Sequence, residues 1–567
     1  MELSGYPSID KPWLKYYSSE AINTILPKCK IYDDIWNNNK NNLDDVAINY
    51  FDSHISYGEM FSNIEGAAKS FSNMGVRKGD IVAVVSVTLP EIIYTFYGLN
   101  RIGAISNMID PRTSIEGIRN YIEEVSAKVV VVIDLAYSRV AQAVVGTTIE
   151  NIIVVSPSDS LPFIKRHLYL MGNKVSIATG CFTWREFIAS GKETNLTDTD
   201  YIENECCVIV HTGGTTGMPK GVMLSNENIN AGAKQCDLSG FCLNRGDRWL
   251  GIMPPFIAYG ICNSLHLPLS IGMELIIIPK FDPNTYDKLL IKYKPTHIVG
   301  VPSHYQKVVD SKKVKNLDMS FILSPVVGGD GIKEEHEKGI SSFLLSHGCG
   351  TNLIKGYGMT EICAAAAASA QMTYNKTGSV GIPFTHTTIS VFDKETGKEL
   401  TYNQEGEVCM KGPHVMLGYY NNDVATKEVL KKHEDGSIWL HSGDLGYIDE
   451  DGCLFIKGRL KRMIIRHDGF KVFPTQIENV LEEHEAVKDC CVVGHSDTVH
   501  SEGCLPVAFI VLENGVKESD GLTDELRSIC ERELPEYALP VEYNYIPSLP
   551  LTSIGKIDYR VLEKKAN

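Results

Sequence analysis

The segment HTGGTTGMPKGVMLS, His211 to Ser225, sets Gly213, Gly214, Gly217 and Gly221 around Thr212, Thr215, Thr216 and a single Lys220. Glycines permit backbone angles at which successive N–H groups converge on one anion. The threonines add hydroxyls suited to phosphate oxygens or a magnesium ion, and Lys220 adds a compact positive charge. The chemistry implied is the holding of a phosphate chain. The segment departs from the common GxxxxGK[ST] loop: Pro219 precedes Lys220, where that loop begins a helix, and no Ser or Thr follows. Taken alone, it also fits a flexible turn between two strands.

The apolar run CCVIV, Cys206 to Val210, predicts a short buried strand leading into this loop. Asp80 to Ser86, Lys128 to Asp134 and Asn151 to Ser156 predict buried parallel strands, and Ile55 to Gly75 has helical spacing. Glu274 to Pro283, followed by YDKLLIKYKPTHIVGVP, repeats strand, helix, strand and predicts a second sheet layer. From about Ile389 to Tyr447 short strands broken by Gly and Asn predict a small antiparallel sheet or barrel. Beyond Arg459, MIIRHDGFKVFPTQIENVLEEH reads as strand and turn into helix. The expected fold class is α/β. A large N-terminal domain of layered α/β subdomains with a small barrel-like part spans 1–460, and a small mobile α+β C-terminal domain spans 461–567.

At 567 residues the chain is too long for one core. Its 54 Lys and Arg against 70 Asp and Glu give a formal charge of -16, which disfavours nucleic acid as a partner. The 15 cysteines show no CxxC spacing for zinc and fit reduced thiols of a cytoplasmic protein. The start, MELSGYPSIDKPWLKYY, lacks the layout of a signal peptide, and no apolar run approaches a membrane span. One segment, LPFIKRHLYLMGNK, Leu161 to Lys174, mixes bulky apolar with basic residues. It fits a solvated loop and helix packed on the domain, or a weak peripheral membrane contact.

TGGTTGMPKG resembles the phosphate loop of the adenylate-forming (AMP-binding) superfamily, and four further stretches follow in that family's order. KGYGMTE, Lys355 to Glu361, resembles its adenine and metal motif; HSGDLGYIDEDG, His441 to Gly452, its ribose motif; GRLKRMIIRHDGFKVFP, Gly458 to Pro474, its hinge; and LPLTSIGKIDYR, Leu549 to Arg560, its terminal lysine motif. Five ordered motifs over most of the chain carry a weight that one glycine loop does not. The resemblance implies an acyl-CoA synthetase of the fatty-acid–CoA ligase type, using ATP, Mg²⁺ and CoA on a small-molecule carboxylic acid.

By the same resemblance Thr212, Gly213, Gly214, Thr215, Thr216, Gly217 and Lys220 bind the phosphates, and Thr212 with Glu361 holds the metal. Gly328, Gly329 and Asp330 face the adenine, although Asp330 stands where the family commonly has a small apolar residue. Tyr357, Gly358, Met359 and Thr360 complete the nucleotide wall; Asp444, Ile456 and Arg459 serve the ribose side. Lys556 is expected to be catalytic together with Thr360 and Glu361, bringing positive charge to the carboxylate and the α-phosphate. Lys461 matches the hinge and Gly469 the CoA tunnel, where RHDG lengthens the turn before Gly469 by one residue.

For the acid, Phe256, Tyr259, Gly260, Pro302 and Ala364 are the expected pocket. Family members that activate α-amino acids place an aspartate within the segment matching PPFIAYG. Ile257 and Ala258 stand in that segment here, and an uncompensated ammonium beside them carries a heavy desolvation cost. An apolar, fatty or aryl acid is therefore expected. EICAAAAASAQM reads equally as an acyl pocket or a close-packed helix. The alternative function is a stand-alone adenylation enzyme that loads a separate acyl carrier protein.

Overall fold

The computed structural model describes residues 3–172, 177–212, 220–329, 331–369, 374–468, 470–497, 499–500, 503–551 and 557–567. The β-branched runs form the middle of an eight-stranded sheet. Ile105–Ile109, Ile81–Val85, Val129–Ile133 and Asn151–Val155 are parallel neighbours in that order. Every residue of Val129–Ile133 is buried, as a strand covered on both faces requires. The run Cys206–His211 joins the same sheet parallel to Ile105–Ile109, then pairs antiparallel with Gly221–Ser225.

The expected helix is Tyr57–Asn73. A capping box of Ser56 and Glu59 starts it, and Tyr57, Met60, Phe61, Ile64, Ala67, Ala68 and Phe71 form its buried stripe.

The second layer is a nine-stranded sheet whose centre is parallel: Ile354–Tyr357, Ser324–Val327, His297–Gly300, Arg248–Gly251, Glu274–Ile277 and Val46–Tyr50. A five-stranded antiparallel sheet follows, built from Thr388–Phe392, Gly406–Lys411, Leu430–Lys432, Ile438–Ile448 and Leu454–Arg459. The C-terminal part has a three-stranded sheet, Val487–Ser496, Cys504–Leu512 and Glu542–Tyr545, covered by the helices Pro474–Glu482 and Asp520–Glu533. Ile464, Val472, Ile477, Leu481, Val492 and Ile510 form a core there that is separate from the N-terminal one.

Two segments read in two ways take a definite local form in the structure. The alanine segment is not a helix: after the short turn Thr360–Ile362 it forms the strand Ala367–Ala368. The segment after Leu161 becomes the helix Phe163–Gly172, none of whose residues is buried. It is held by polar contacts, Lys165 Nζ to the Phe51 carbonyl and to Asp52, and the Tyr169 hydroxyl to Asp134. Among the described residues no helix is long and apolar enough to cross a membrane.

Candidate active site

In parallel α/β sheets ligands gather beyond the carboxyl ends of the strands. The motifs read from the sequence stand there: Thr212 follows Cys206–His211, Gly328 follows Ser324–Val327, and Gly358 follows Ile354–Tyr357. They converge on one cavity of about 1920 Å³. Thr212, Lys220, Gly328, Gly329, Gly358, Met359, Thr360, Glu361, Arg459 and Lys461 line it, as do Phe256, Tyr259 and Ala364 from the expected acid pocket. Tyr357, Asp444, Ile456, Gly260 and Pro302 are not among its lining residues; Val301 and Ser303, either side of Pro302, are. Gly213, Gly214, Thr215, Thr216, Gly217, Asp330, Gly469 and Lys556 lie outside the described residues.

The base of the phosphate loop is closed by two bonds: the Thr212 amide donates to the Lys220 carbonyl at 3.0 Å, and the Lys220 amide donates to Thr212 Oγ1 at 3.1 Å. Lys220 Nζ lies over the ring of Tyr419, 4.7 Å from its centroid. The Tyr419 hydroxyl donates to Glu361 Oε1 at 2.7 Å. One aromatic side chain thus connects Lys220 to Glu361. Tyr419 reaches them because Gly418–Tyr419 pairs with Gly221–Ser225. The sequence reading missed it, although GYY after a turn was a visible signal.

Asp444, 4% exposed, accepts from the Tyr357 hydroxyl at 2.7 Å and pairs with Arg459 Nε at 2.9 Å. Arg459 also donates to the Ser442 carbonyl at 3.1 Å. Burial, with Asp444 alongside, pushes the Tyr357 phenol far above its ordinary range, so it stays a donor. The triad fixes the face between the second sheet and the antiparallel sheet. Below it, Lys355 and Glu337 form a buried ion pair, and Lys355 also donates to the Lys376 carbonyl at 2.9 Å.

On the acid side, close backbone approach explains two glycines. A Cβ on Gly358 would lie 2.0 Å from the Ala364 carbonyl oxygen, and one on Gly260 would lie 1.7 Å from that of Pro254. Gly260 therefore shapes the turn that presents Tyr259. Ala364, Ala365, Ala367 and Ala368 make a smooth wall. Two buried polar atoms on this side, Tyr259 Oη and Asn263 Oδ1, have no hydrogen-bond partner among the described residues. Arg112, Arg139, Lys165, Lys280 and Lys292 also line the cavity as a basic rim on an acidic chain, with Arg112 paired to Asp110 and both Lys165 and Lys292 paired to Asp52. Sequence reasoning missed this rim, whose members are scattered over 181 positions from 112 to 292.

From the C-terminal part, Leu551 and Tyr559 reach the same cavity. Leu551 pairs with Ile557 in an isolated antiparallel bridge. Arg462 lies over the Tyr559 ring at 5.0 Å and is bonded to Glu478, which ties the chain after the antiparallel sheet to its own small domain.

Glycine-loop phosphate motif, strand-end cavity and a separately cored C-terminal unit together define a two-part nucleotide-binding α/β protein. The chain belongs to the AMP-binding enzyme family: that family's model matches residues 35–420, and the model of the AMP-binding enzyme C-terminal domain matches 476–556. It is 30% identical over 565 residues to the long-chain-fatty-acid–CoA ligase of Bacillus subtilis (strain 168), covering 98% of each chain. It is also 30% identical to the probable 4-coumarate–CoA ligase 1 of Dictyostelium discoideum, covering 96% of each. Among solved structures, ATP-bound MatB from Rhodopseudomonas palustris matches with a TM-score of 0.82 at 21% identity, over 95% of this chain and 99% of that one. The anthranilate CoA ligase AuaEII in complex with anthranoyl-AMP matches with 0.81, also at 21%, over 96% and 98%.

Proposed function

We propose that this protein is an AMP-forming acid–thiol ligase that activates an apolar carboxylic acid with ATP and passes the acyl group to CoA. The observation that carries this is the single cavity that joins the phosphate-motif wall to an alanine-lined chamber. In the first half-reaction the carboxylate oxygen attacks the α-phosphorus, the bond to the β-phosphate oxygen breaks, and pyrophosphate leaves. In the second the CoA thiol, losing its proton, attacks the acyl carbonyl and AMP leaves. Two anions must approach in the first step, so positive charge at the reacting oxygens lowers the barrier. We assign that role to Lys220 and Lys556. Lys556 lies outside the described residues, and its assignment rests on the LPLTSIGKIDYR motif that carries it.

Glu361 and Thr212 present hard oxygens to the same cavity, which fits Mg²⁺; bound there, the ion offsets phosphate charge. Asp444 and Arg459 hold the ribose side, and Tyr357 is oriented by its bond to Asp444. We place the domain boundary at 460/461, with Lys461 as hinge, because the two cores are separate. Gly469 is assigned to the CoA route.

We assign a long-chain fatty acid as the acid class, in keeping with the substrate for which the Bacillus relative is named. The cavity exceeds the roughly 300–1,000 Å³ of ordinary ligand sites, which leaves room for nucleotide and acyl chain together. Phe256, Ile257 and Ala258 line it. The basic rim attracts carboxylates, and the adjoining helix Phe163–Gly172 leaves Phe163 and Ile164 83% and 73% exposed. A weak peripheral contact of that helix with a membrane surface follows. All 15 cysteines are free, which fits a cytoplasmic setting.

A panel of fatty, aryl and amino acids with ATP, scored for pyrophosphate with and without CoA, tests the reading. Pyrophosphate and thioester with fatty acids are expected. No pyrophosphate with any acid refutes adenylation, and transfer only to an acyl carrier protein refutes CoA as acceptor.

A further inference from the structure

Acid activation leaves His467, in the lengthened turn of the C-terminal unit, without a use. That turn joins the short strands Ile464–Ile465 and Lys471–Val472 and lies against the loop after the strand Val487–Ser496. The approach is close: a Cβ on Gly503, whose φ is +98°, would stand 2.3 Å from the His467 amide nitrogen. Between the two loops, His467 Nδ1 is 3.0 Å and His500 Nδ1 is 2.8 Å from one oxygen, Asp497 Oδ2. The imidazoles stack with centroids 3.4 Å apart, 8° from parallel.

Asp497 is fixed for this arrangement by its backbone neighbours. Its Oδ1 accepts from the amides of Val499 at 2.9 Å and His500 at 3.2 Å, and its own amide donates to the Gly503 carbonyl at 3.0 Å. The Asp497 side chain is 2% exposed, whereas the rings of His467 and His500 are 26% and 46% exposed. The nearby Asp468 carboxylate pairs instead with Arg466 at 3.0 Å.

We propose that His467, Asp497 and His500 form a binding site for a divalent transition-metal ion of the zinc type. Two imidazole nitrogens and one carboxylate oxygen suit such ions, whereas magnesium and calcium favour oxygen-only sets. Donors around a four-coordinate ion with bonds of about 2.0–2.1 Å stand about 3.3 Å apart and each imidazole must hold the ion in its own ring plane, so the two partly exposed rings turn out of their stack to admit it. Each ring then binds the ion through Nδ1 and carries its hydrogen on Nε2. The partly exposed rings leave water access to the remaining positions. Because His467 belongs to one loop and the other two ligands to the next, the bound ion clips the turn to the sheet.

The test uses the full chain, stripped with a chelator and kept in excess Mg²⁺, with Co²⁺ as the spectroscopic probe and Zn²⁺ as competitor. The wild type is expected to bind one equivalent more Co²⁺ than H467A/H500A, with the visible absorption of nitrogen and oxygen ligands. Asp497→Asn keeps an acceptor for the two amides and is expected to weaken binding at least about tenfold. His500→Ala, at the more exposed ring, gives the same loss with little demand on folding, and thermal melting in chelator verifies that each variant is folded. Equal equivalents in wild type and double variant overturn the site. So does Co²⁺ absorption of thiolate character alone, which would place the ion on cysteines.

Discussion

The N-terminal body and the C-terminal unit hold their functional residues in different ways. In the body, the strands that deliver Thr212, Gly328 and Tyr357 share one continuous core that includes Val208, Val210, Val327 and Ile354. In the C-terminal unit a smaller core stands alone, and its contacts with the body include polar ones: Lys333 pairs with Glu482, and the Thr475 hydroxyl donates to the Lys457 carbonyl at 2.6 Å. Apolar burial is worth roughly 25 cal/mol per Å² over large areas, while a partly exposed ion pair contributes at most about 1 kcal/mol. The difference teaches that the cavity wall is built to keep its shape, while the part carrying Lys556 is attached by contacts that can be exchanged.

The strongest way to break this division is Lys556→Ala. If the lysine serves only adenylation, pyrophosphate release falls roughly 100- to 1,000-fold, the size of losing one preorganised charge-stabilising donor. Reaction of a chemically supplied acyl adenylate with CoA should continue at the wild-type rate. Equal loss in both half-reactions would mean that the lysine does not belong to one arrangement of the C-terminal unit.

A smaller effect, on the rigid side, comes from Asp444→Ala. It leaves the Tyr357 hydroxyl and the Arg459 guanidinium without this acceptor, and ATP affinity should fall by about 2 kcal/mol, some 30-fold. Calorimetry that finds ATP binding unchanged would remove Asp444 from the nucleotide site. Tyr419→Phe deletes only the hydroxyl on Glu361 and should cost about 1 kcal/mol, read as a roughly fivefold higher Mg²⁺ requirement with the acid KM unchanged. A shift in acid KM without a shift in Mg²⁺ dependence would argue for a role on the other side of the cavity.

The smallest expected effect sharpens the boundary itself. Lys333→Ala removes the pairing with Glu482, whose side chains are 32% and 12% exposed, and should change either half-reaction by less than about fivefold. A larger loss in stopped-flow measurements of one half-reaction would show that this contact holds one orientation of the C-terminal unit.

Much of the body was legible because its information is local. Val129–Ile133 could only be a strand buried on both faces, and Ser56 with Glu59 marks the start of Tyr57–Asn73. The alanine segment reads equally as pocket wall or helix, because alanine favours helix locally; Cys363 and Ala364 adopt φ of 52° and 83°, which turns the chain along the cavity instead. The acid pocket was partly legible, with Phe256, Tyr259 and Ala364 at the cavity and Gly260 and Pro302 not among its lining residues.

The sequence by itself determined the strands and the order of the five motifs, since each depends on residue types within a few positions of one another. Tertiary structure decided which side chains meet at the strand ends. Tyr419 joins Lys220 to Glu361, the basic rim gathers residues from Arg112 to Lys292, and His467 finds Asp497 and His500 across two loops. The physical reason is that strand pairing and core packing, not distance along the chain, set which carboxyl ends lie side by side.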